Sequence, residues 1–261
     1  MRITAHLDRL AREGESLAAA AGSAGTDATV PTCPGWQVAD LLRHTGKVHR
    51  WAADHVAHGR REARPDGGEP DLDGAELISW FREGHADLVA ALRGAPPDLE
   101  CWTFLPAPSP LAFWARRQAH ETAVHRLDAE SAAGALPEVR HPLTGQLGFF
   151  TREFALDGID ELLTAFHGRK RSRVRTAAPG TLRIRATDGP DPDAVWTVHL
   201  SPDDAPRAVP DGEGPADTEL SGPAEVLYAT LWNRLPTAAV ELTGDPGLAA
   251  AWRELSGITW S

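Results

Sequence analysis

Cysteine, positive charge and long apolar runs are scarce in this sequence. Only two cysteines, Cys33 and Cys101, occur in 261 residues. Two are too few for a disulfide scaffold or a cysteine-only zinc site, so any metal must depend on histidines and carboxylates. No apolar run approaches about 18 residues, and charges interrupt the N-terminal apolar positions, which argues against a membrane span or a signal peptide. We therefore expect a soluble, cytoplasmic protein.

The charge balance limits the kinds of partner that are expected. The chain has 26 Lys and Arg against 37 Asp and Glu, a formal net charge of -11. Duplex nucleic acid and anionic membranes attract positive fields, so neither is expected as the main partner. A hydrophobic fraction of 42% and a charged fraction of 24% are ordinary for a globular chain with a real core. The length suits one large domain or two small ones.

Helical periodicity dominates the chain up to about residue 168. The apolar spacing predicts helices over residues 3–20, from Val38 to beyond Ala52, through Leu77–Leu92, from about Leu111 to Glu130, and from near Thr144 through Phe166. Gly- and Pro-rich segments separate them. Long amphipathic helices in series, without strands between them, are typical of an up-and-down helical bundle.

The pattern changes to strands from Thr181 onward. Residues 182–186 alternate with period two, and residues 195–200 follow as the returning strand of a hairpin. One or two further short strands are expected between residues 201 and 215, and Pro223 and Pro246 each open a helix. The predicted fold class is mainly α, with a helical bundle at 1–168 and a small α+β domain at 176–261.

Polar side chains form a stripe on the fourth predicted helix. The stripe consists of Gln118, Glu121, His125 and Asp128 at i, i+3, i+7 and i+10. Such a stripe is either a solvent face or a buried functional seam; Trp114 and Val124 beside it favour the seam. Glu121 and His125 lie one turn apart, so both side chains can reach one ion. By itself this spacing also fits an ordinary surface pair.

A third ligand from another helix would strengthen the metal hypothesis. The second helix carries His44, whose ring points inward beside Leu41 and Val48. His44 is either a hydrogen-bonded core histidine or a metal ligand. His55 and His58 lie about 16 to 21 Å farther along the helix, at about 1.5 Å per residue, and are too distant to share its metal.

Several sequence segments together resemble one enzyme family. They are residues 31–36 (PTCPGW), 41–44 (LLRH), 120–130 (HETAVHRLDAE) and 157–163 (DGIDELL). In combination they resemble the mycothiol-dependent maleylpyruvate isomerase family of actinobacteria, which belongs to the DinB-like metal-dependent bundles. The resemblance extends over nearly the whole chain. The C-terminal pattern is also similar to sterol-carrier-like domains.

The resemblance implies a metal site and a thiol cofactor. Carried over, the ligands of a divalent metal, usually zinc, are His44, Glu121 and His125. Three protein ligands leave zinc an open position, as in catalytic sites. A thiol bound there loses its proton and becomes a nucleophile at neutral pH. In the family that thiol is mycothiol, and its attack on an electrophilic carbon leads to isomerisation or transfer.

Three further residues have more than one interpretation, and a fourth, Cys33, lies near the predicted site in sequence. Asp128 either hydrogen-bonds a ligand histidine or pairs with Arg126. Trp36 either lines the site or packs at the helix entry. Cys33 is not expected as a ligand. The resembling isomerases use an arginine of the C-terminal domain at the active site; Arg234 is our candidate for holding substrate carboxylates, although the helix dipole also explains an arginine at that position.

The leading hypothesis is a zinc-dependent enzyme that uses mycothiol to isomerise or transfer a small electrophilic substrate. The main alternative is a metal-containing protein that binds a small ligand without turnover. Water in the open position would instead make the protein a metal-dependent hydrolase. A small-molecule substrate and a low-molecular-weight thiol are the expected partners.

Overall fold

Four helices form the first of two units into which the chain divides, 1–137 and 138–261. They are α1 (Ile3–Ala24), α2 (Val38–Ala57), α3 (Gly74–Gly94) and α4 (Pro110–Ala132). The computed structural model describes residues 1–139, 141–145, 147–189, 194–210 and 214–258. The first four predicted helices are thus confirmed. Within these described ranges, every helix is either too short or too polar to cross a membrane.

The bundle is held together by apolar stripes of the predicted spacing. In it α1 packs along α4, and α2 packs along α3. Leu17, Leu42 and Phe81 are fully buried in the shared core. Helices α2 and α3 approach closely at Gly46, where a Cβ atom would lie 2.3 Å from the ring of Trp80. A larger residue at that position would therefore displace the Trp80 ring.

Helix α4 differs from its neighbours because it is buried on every side. All residues from Arg117 to Ala129 are buried, polar and charged ones included. The Ser109 side chain accepts a hydrogen bond from the Ala112 N–H and caps the helix, and Pro110 occupies its first turn. The predicted polar stripe is therefore an interior seam rather than a solvent face.

The second unit is a small α+β domain. It contains α5 (Arg152–Asp160), a π-helical turn (Glu161–Phe166), β1 (Gly180–Ala186), β2 (Ala194–Leu200), β3 (Arg207–Pro210), β4 (Thr218–Gly222), α6 (Ala224–Leu231), a 3₁₀ turn (Thr237–Ala239), β5 (Glu241–Gly244) and α7 (Pro246–Leu255). The strand order is β3-β2-β1-β4-β5. Only β1 and β4 pair in parallel; the other described pairs are antiparallel. The predicted hairpin is confirmed as β1 and β2, and so is the mainly α class, a helical bundle followed by a small α+β part.

The start of the fifth helix was predicted wrongly. Helix α5 begins at Arg152, not near Thr144. The buried carboxylate of Glu225 accepts hydrogen bonds from the backbone N–H groups of residues 147 to 150. Those amides are therefore held as a loop, and the Thr151 hydroxyl caps the helix that follows. Helix α5 also falls in the second unit. The domain ranges 1–168 and 176–261 stay a prediction.

Candidate metal centre

Two helices bring together the three predicted ligands. Glu121 and His125 lie one turn apart on α4, and His44 lies on α2, whose start is fixed by a capping box between Gln37 and Asp40. Glu121 Oε1 lies 3.5 Å from His44 Nε2 and 3.2 Å from His125 Nε2. One ligand atom from each of the three residues lies within 4.8 Å of the others. The spacing is short enough for a single ion to contact all three.

The donor atoms of this cluster fit a metal ion. His44 Nε2 and Glu121 Oε1 are buried, and neither has a hydrogen-bond partner within the part of the chain that the structure describes. A buried polar atom without a partner costs free energy, so such atoms are usually satisfied by protein, water or an ion. Two of them face each other in this cluster. A divalent cation between them would satisfy both.

The side chain of Asp128 orients His125. His125 Nδ1 lies 2.8 Å from Asp128 Oδ2, and the Thr32 hydroxyl donates to Asp128 Oδ1 at 2.6 Å. Asp128 is fully buried. An imidazole that donates from Nδ1 keeps the lone pair of its Nε2 directed at the ligand cluster. Of the two interpretations of Asp128, the structure favours the hydrogen bond to a candidate ligand.

Charges around the cluster shift two pKa values in opposite directions. Burial alone raises the pKa of Glu121, but contacts with His125 and His44 and the charge of Arg117 outweigh it and hold that pKa well below its ordinary value. Burial lowers the pKa of His125, whereas Asp128 and Glu121 raise it, for a net result of about 9. Glu121 is thus ionised at neutral pH, and a metal must displace a proton from His125.

Two residues of the turn before α2, Trp36 and Cys33, were considered from the sequence. The rings of Trp36 and His44 meet edge to face with centroids 5.3 Å apart, and Trp36 also packs against the apolar core. Both interpretations of Trp36 therefore apply. Cys33 packs against the same core and is outside the cluster of ligand atoms, as expected.

The other histidines of α2 have partners elsewhere. Thr122 donates to the Gln118 carbonyl, so His49 Nε2, 2.8 Å away, donates to the Thr122 hydroxyl. His55 is fully buried, with Nδ1 3.0 Å from the Trp51 carbonyl oxygen. His58 lies beside Asp54. In the described residues none of the three belongs to the ligand cluster.

Arg234, the candidate substrate-binding residue, lies in the second unit. It follows the end of α6, where its backbone N–H bonds to the Ala229 carbonyl and its Nη1 donates to the Trp232 carbonyl at 2.7 Å. The preceding residue, Asn233, has a positive φ of 63°. These contacts fix the backbone of Arg234. Its role in binding substrate stays a prediction.

Two contacts at the candidate site were not predicted from the sequence. The buried guanidinium of Arg117 donates to Glu121 Oε2 at 3.2 Å. An Arg four residues before a Glu on a helix is a signal that the sequence offered. The Thr32 contact with Asp128 joins residues 96 apart in the chain, and no local pattern indicates it.

Two family profiles match this chain, one within each of its two units. A family profile described as the mycothiol maleylpyruvate isomerase N-terminal domain matches residues 7–130, and one described as the MDMPI C-terminal domain matches residues 153–251. No curated protein matches the sequence.

Solved structures of that isomerase share the fold. One crystal structure of the mycothiol-dependent maleylpyruvate isomerase aligns with a TM-score of 0.59 and 13% identity, and that of a histidine-to-alanine mutant aligns with 0.61 and 12%. Each alignment covers 93% of both chains. The two family profiles together span most of the sequence. The chain therefore belongs to the mycothiol-dependent maleylpyruvate isomerase family.

Proposed function

We propose that the protein is a divalent-metal-dependent enzyme that uses mycothiol either to isomerise a small electrophilic substrate or to form a thioether with it as another group leaves. The observation that carries the proposal is the cluster of His44, Glu121 and His125, whose ligand atoms lie within 4.8 Å of one another. Two of those atoms are buried without hydrogen-bond partners in the described chain. Membership of the family supplies the thiol and the reaction class by analogy.

Zinc is the metal that this donor set suits. Two imidazoles and one carboxylate are a frequent catalytic zinc set, with a further position open to substrate or solvent. When bound, the metal lowers the pKa of a coordinated thiol, so that the nucleophilic thiolate exists at neutral pH. Cys33 and Cys101 both lie outside the cluster. The reactive sulfur is therefore assigned to the cofactor.

The protein side chains prepare this chemistry. Asp128 holds His125 in the tautomer whose Nε2 is available as a ligand. Glu121 remains ionised because its neighbours keep its pKa low. Trp36, packed against His44, forms an apolar wall beside it. We further propose that Arg234 holds a substrate carboxylate through its planar guanidinium, and that the enzyme works in the cytoplasm.

The proposal is tested by titrating mycothiol into zinc-loaded protein and measuring the heat of binding. We expect saturable binding of one thiol per chain. Binding should disappear in Glu121→Ala and persist in Glu130→Ala, which removes another carboxylate of the same helix. A zinc-loaded wild type that binds no thiol would contradict the proposal and shift the assignment to a hydrolase or a non-catalytic binding protein.

A further inference from the structure

Arg117 is a deeply buried positively charged side chain beside the ligand cluster. Its side chain is 1% exposed, and its Nη2 donates to Glu121 Oε2 at 3.2 Å. The two residues lie one helical turn apart on α4. The other carboxylate oxygen, Oε1, lies 3.5 Å from His44 Nε2 and 3.2 Å from His125 Nε2. The carboxylate is thus divided between a guanidinium on one side and two histidines on the other.

This division bears on how a carboxylate binds a metal. A carboxylate binds a cation through one oxygen or through both. A hydrogen bond from a guanidinium to a carboxylate oxygen is charge-assisted, so turning that oxygen away is costly. The Arg117 contact is made by Oε2, the oxygen that does not face the two histidines, and it opposes a rotation of Glu121 that would present both oxygens. The ion pair therefore favours binding through Oε1 alone.

We propose that Arg117 is a positioning residue that keeps Glu121 a one-oxygen ligand and so preserves the open position for the thiol. The inference rests on the proposed function, because it presumes a metal at the cluster. Arg117 touches neither metal nor thiol in this account; it acts through Glu121. A guanidinium suits the role because it is always charged and its donors have fixed directions.

Cobalt(II) provides a readout of the number of ligands. Four-coordinate cobalt(II) absorbs visible light strongly, and five-coordinate cobalt(II) absorbs more weakly. In the cobalt-loaded wild type we expect strong bands and a new thiolate-to-cobalt band when mycothiol is added. In Arg117→Met we expect one cobalt per chain, weaker visible bands and thiol affinity lower by about 10- to 100-fold, the usual range for a group that orients a ligand.

Two further variants test whether Arg117 positions Glu121 or only forms a structural ion pair with it. Arg126→Met removes a second buried arginine of α4, one that pairs with Glu13 instead, and should keep the wild-type spectrum. Arg117→Lys retains the charge and should recover part of the thiol affinity. If Arg117→Met does not fold, as judged by circular dichroism, Arg117→Lys becomes the test. Lysine makes a less directional contact with Glu121 than arginine does. The thiol affinity of the Lys variant must therefore be lower than that of wild type.

Different experimental results would overturn the role of Arg117 and the proposed function. Wild-type spectrum and thiol affinity in Arg117→Met, or in Arg117→Lys where only that variant folds, would overturn the role of Arg117 while leaving the metal centre intact. A wild type that takes up no cobalt would overturn both.

Discussion

Helix α4 contributes to two clusters of charged and ligand-type side chains, which differ in the groups that face their glutamates. The first is the ligand cluster of His44, Glu121 and His125. The second, which we call the ion-pair cluster, consists of Arg9, Glu13, Arg126 and Glu130. In the ion-pair cluster, Glu13 Oε1 lies 2.6 Å from Arg9 Nε, and Glu13 Oε2 lies 2.9 Å from Arg126 Nε.

The difference lies in the source of the positive charge. In the ion-pair cluster each oxygen of Glu13 faces an arginine of the chain itself. In the ligand cluster, Glu121 Oε2 faces Arg117, but Oε1 faces histidine nitrogens, and one of these, His44 Nε2, is buried without a hydrogen-bond partner among the described residues. Buried charges need compensation. Glu13 is thus paired with two permanently charged arginines, whereas Glu121 faces one arginine and two histidines that can exchange a proton for a metal ion.

The largest expected effect comes from breaking the ion-pair cluster. Arg126→Met leaves Glu13 with one of its two arginines, and removing one partner of a buried pair costs about 3–5 kcal/mol of unfolding free energy. Urea unfolding of the zinc-loaded protein measures the loss. Zinc content of the folded protein should not change. Arg12→Met, at an exposed position of α1, is the control and should shift stability by no more than about 0.5 kcal/mol. Loss of zinc in folded Arg126→Met would show that the two clusters are not independent.

A smaller effect is expected from the support of the ligand cluster. Asp128→Asn removes the negative charge that faces His125 Nδ1, and zinc affinity should fall by about 10- to 100-fold. Competition with a coloured chelator measures it. Thr32→Val, which removes the hydroxyl that donates to Asp128, should weaken zinc binding less. An Asp128→Asn variant with wild-type affinity would refute the orienting role of Asp128.

The smallest effect is the pH dependence of metal binding. Below its pKa of about 9, His125 must release a proton to bind zinc, so the affinity should rise by up to about tenfold per pH unit and level off near that pKa. The metal-free protein should behave in the opposite way. The pKa of His125 is raised on folding, so its contribution to stability is complete below about pH 6.5 and is lost as pH rises toward 9. Chelator competition and urea unfolding between about pH 6.5 and pH 8 measure the two trends. A zinc affinity that does not change over this range would contradict the protonation of His125.

The sequence predicts the bundle better than the second unit. The spans of α1 to α4 follow from apolar spacing and from Gly and Pro punctuation, both of which are local. The start of α5 depends on Glu225, more than seventy residues away in the chain. Strands β4 and β5 have five and four residues, too short for a clear alternation. β4 is also defined by parallel pairing with β1, which no neighbouring residue specifies.

The candidate site, too, could be predicted from the sequence only in part. The i, i+4 spacing on α4 indicated Glu121 and His125 as a pair. His44 was selected through the family resemblance, because residue spacing alone left it either a core histidine or a ligand. His44 can approach Glu121 only if α2 and α4 pack together. The packing of two helices cannot be derived from the periodicity of either helix alone. For the same reason, the contact between Thr32 and Asp128 could not be predicted.

The central claim is that His44, Glu121 and His125 hold one metal ion. The most direct test is the zinc content of the purified protein after equilibrium dialysis, measured for wild type, His44→Ala and His55→Ala. His55 is a buried histidine of the same helix outside the cluster, so its replacement controls for the loss of a histidine from the interior of α2. We predict one zinc per chain in wild type and in His55→Ala, and none in His44→Ala. A wild type without zinc, or a His44→Ala variant that retains it, would contradict the claim.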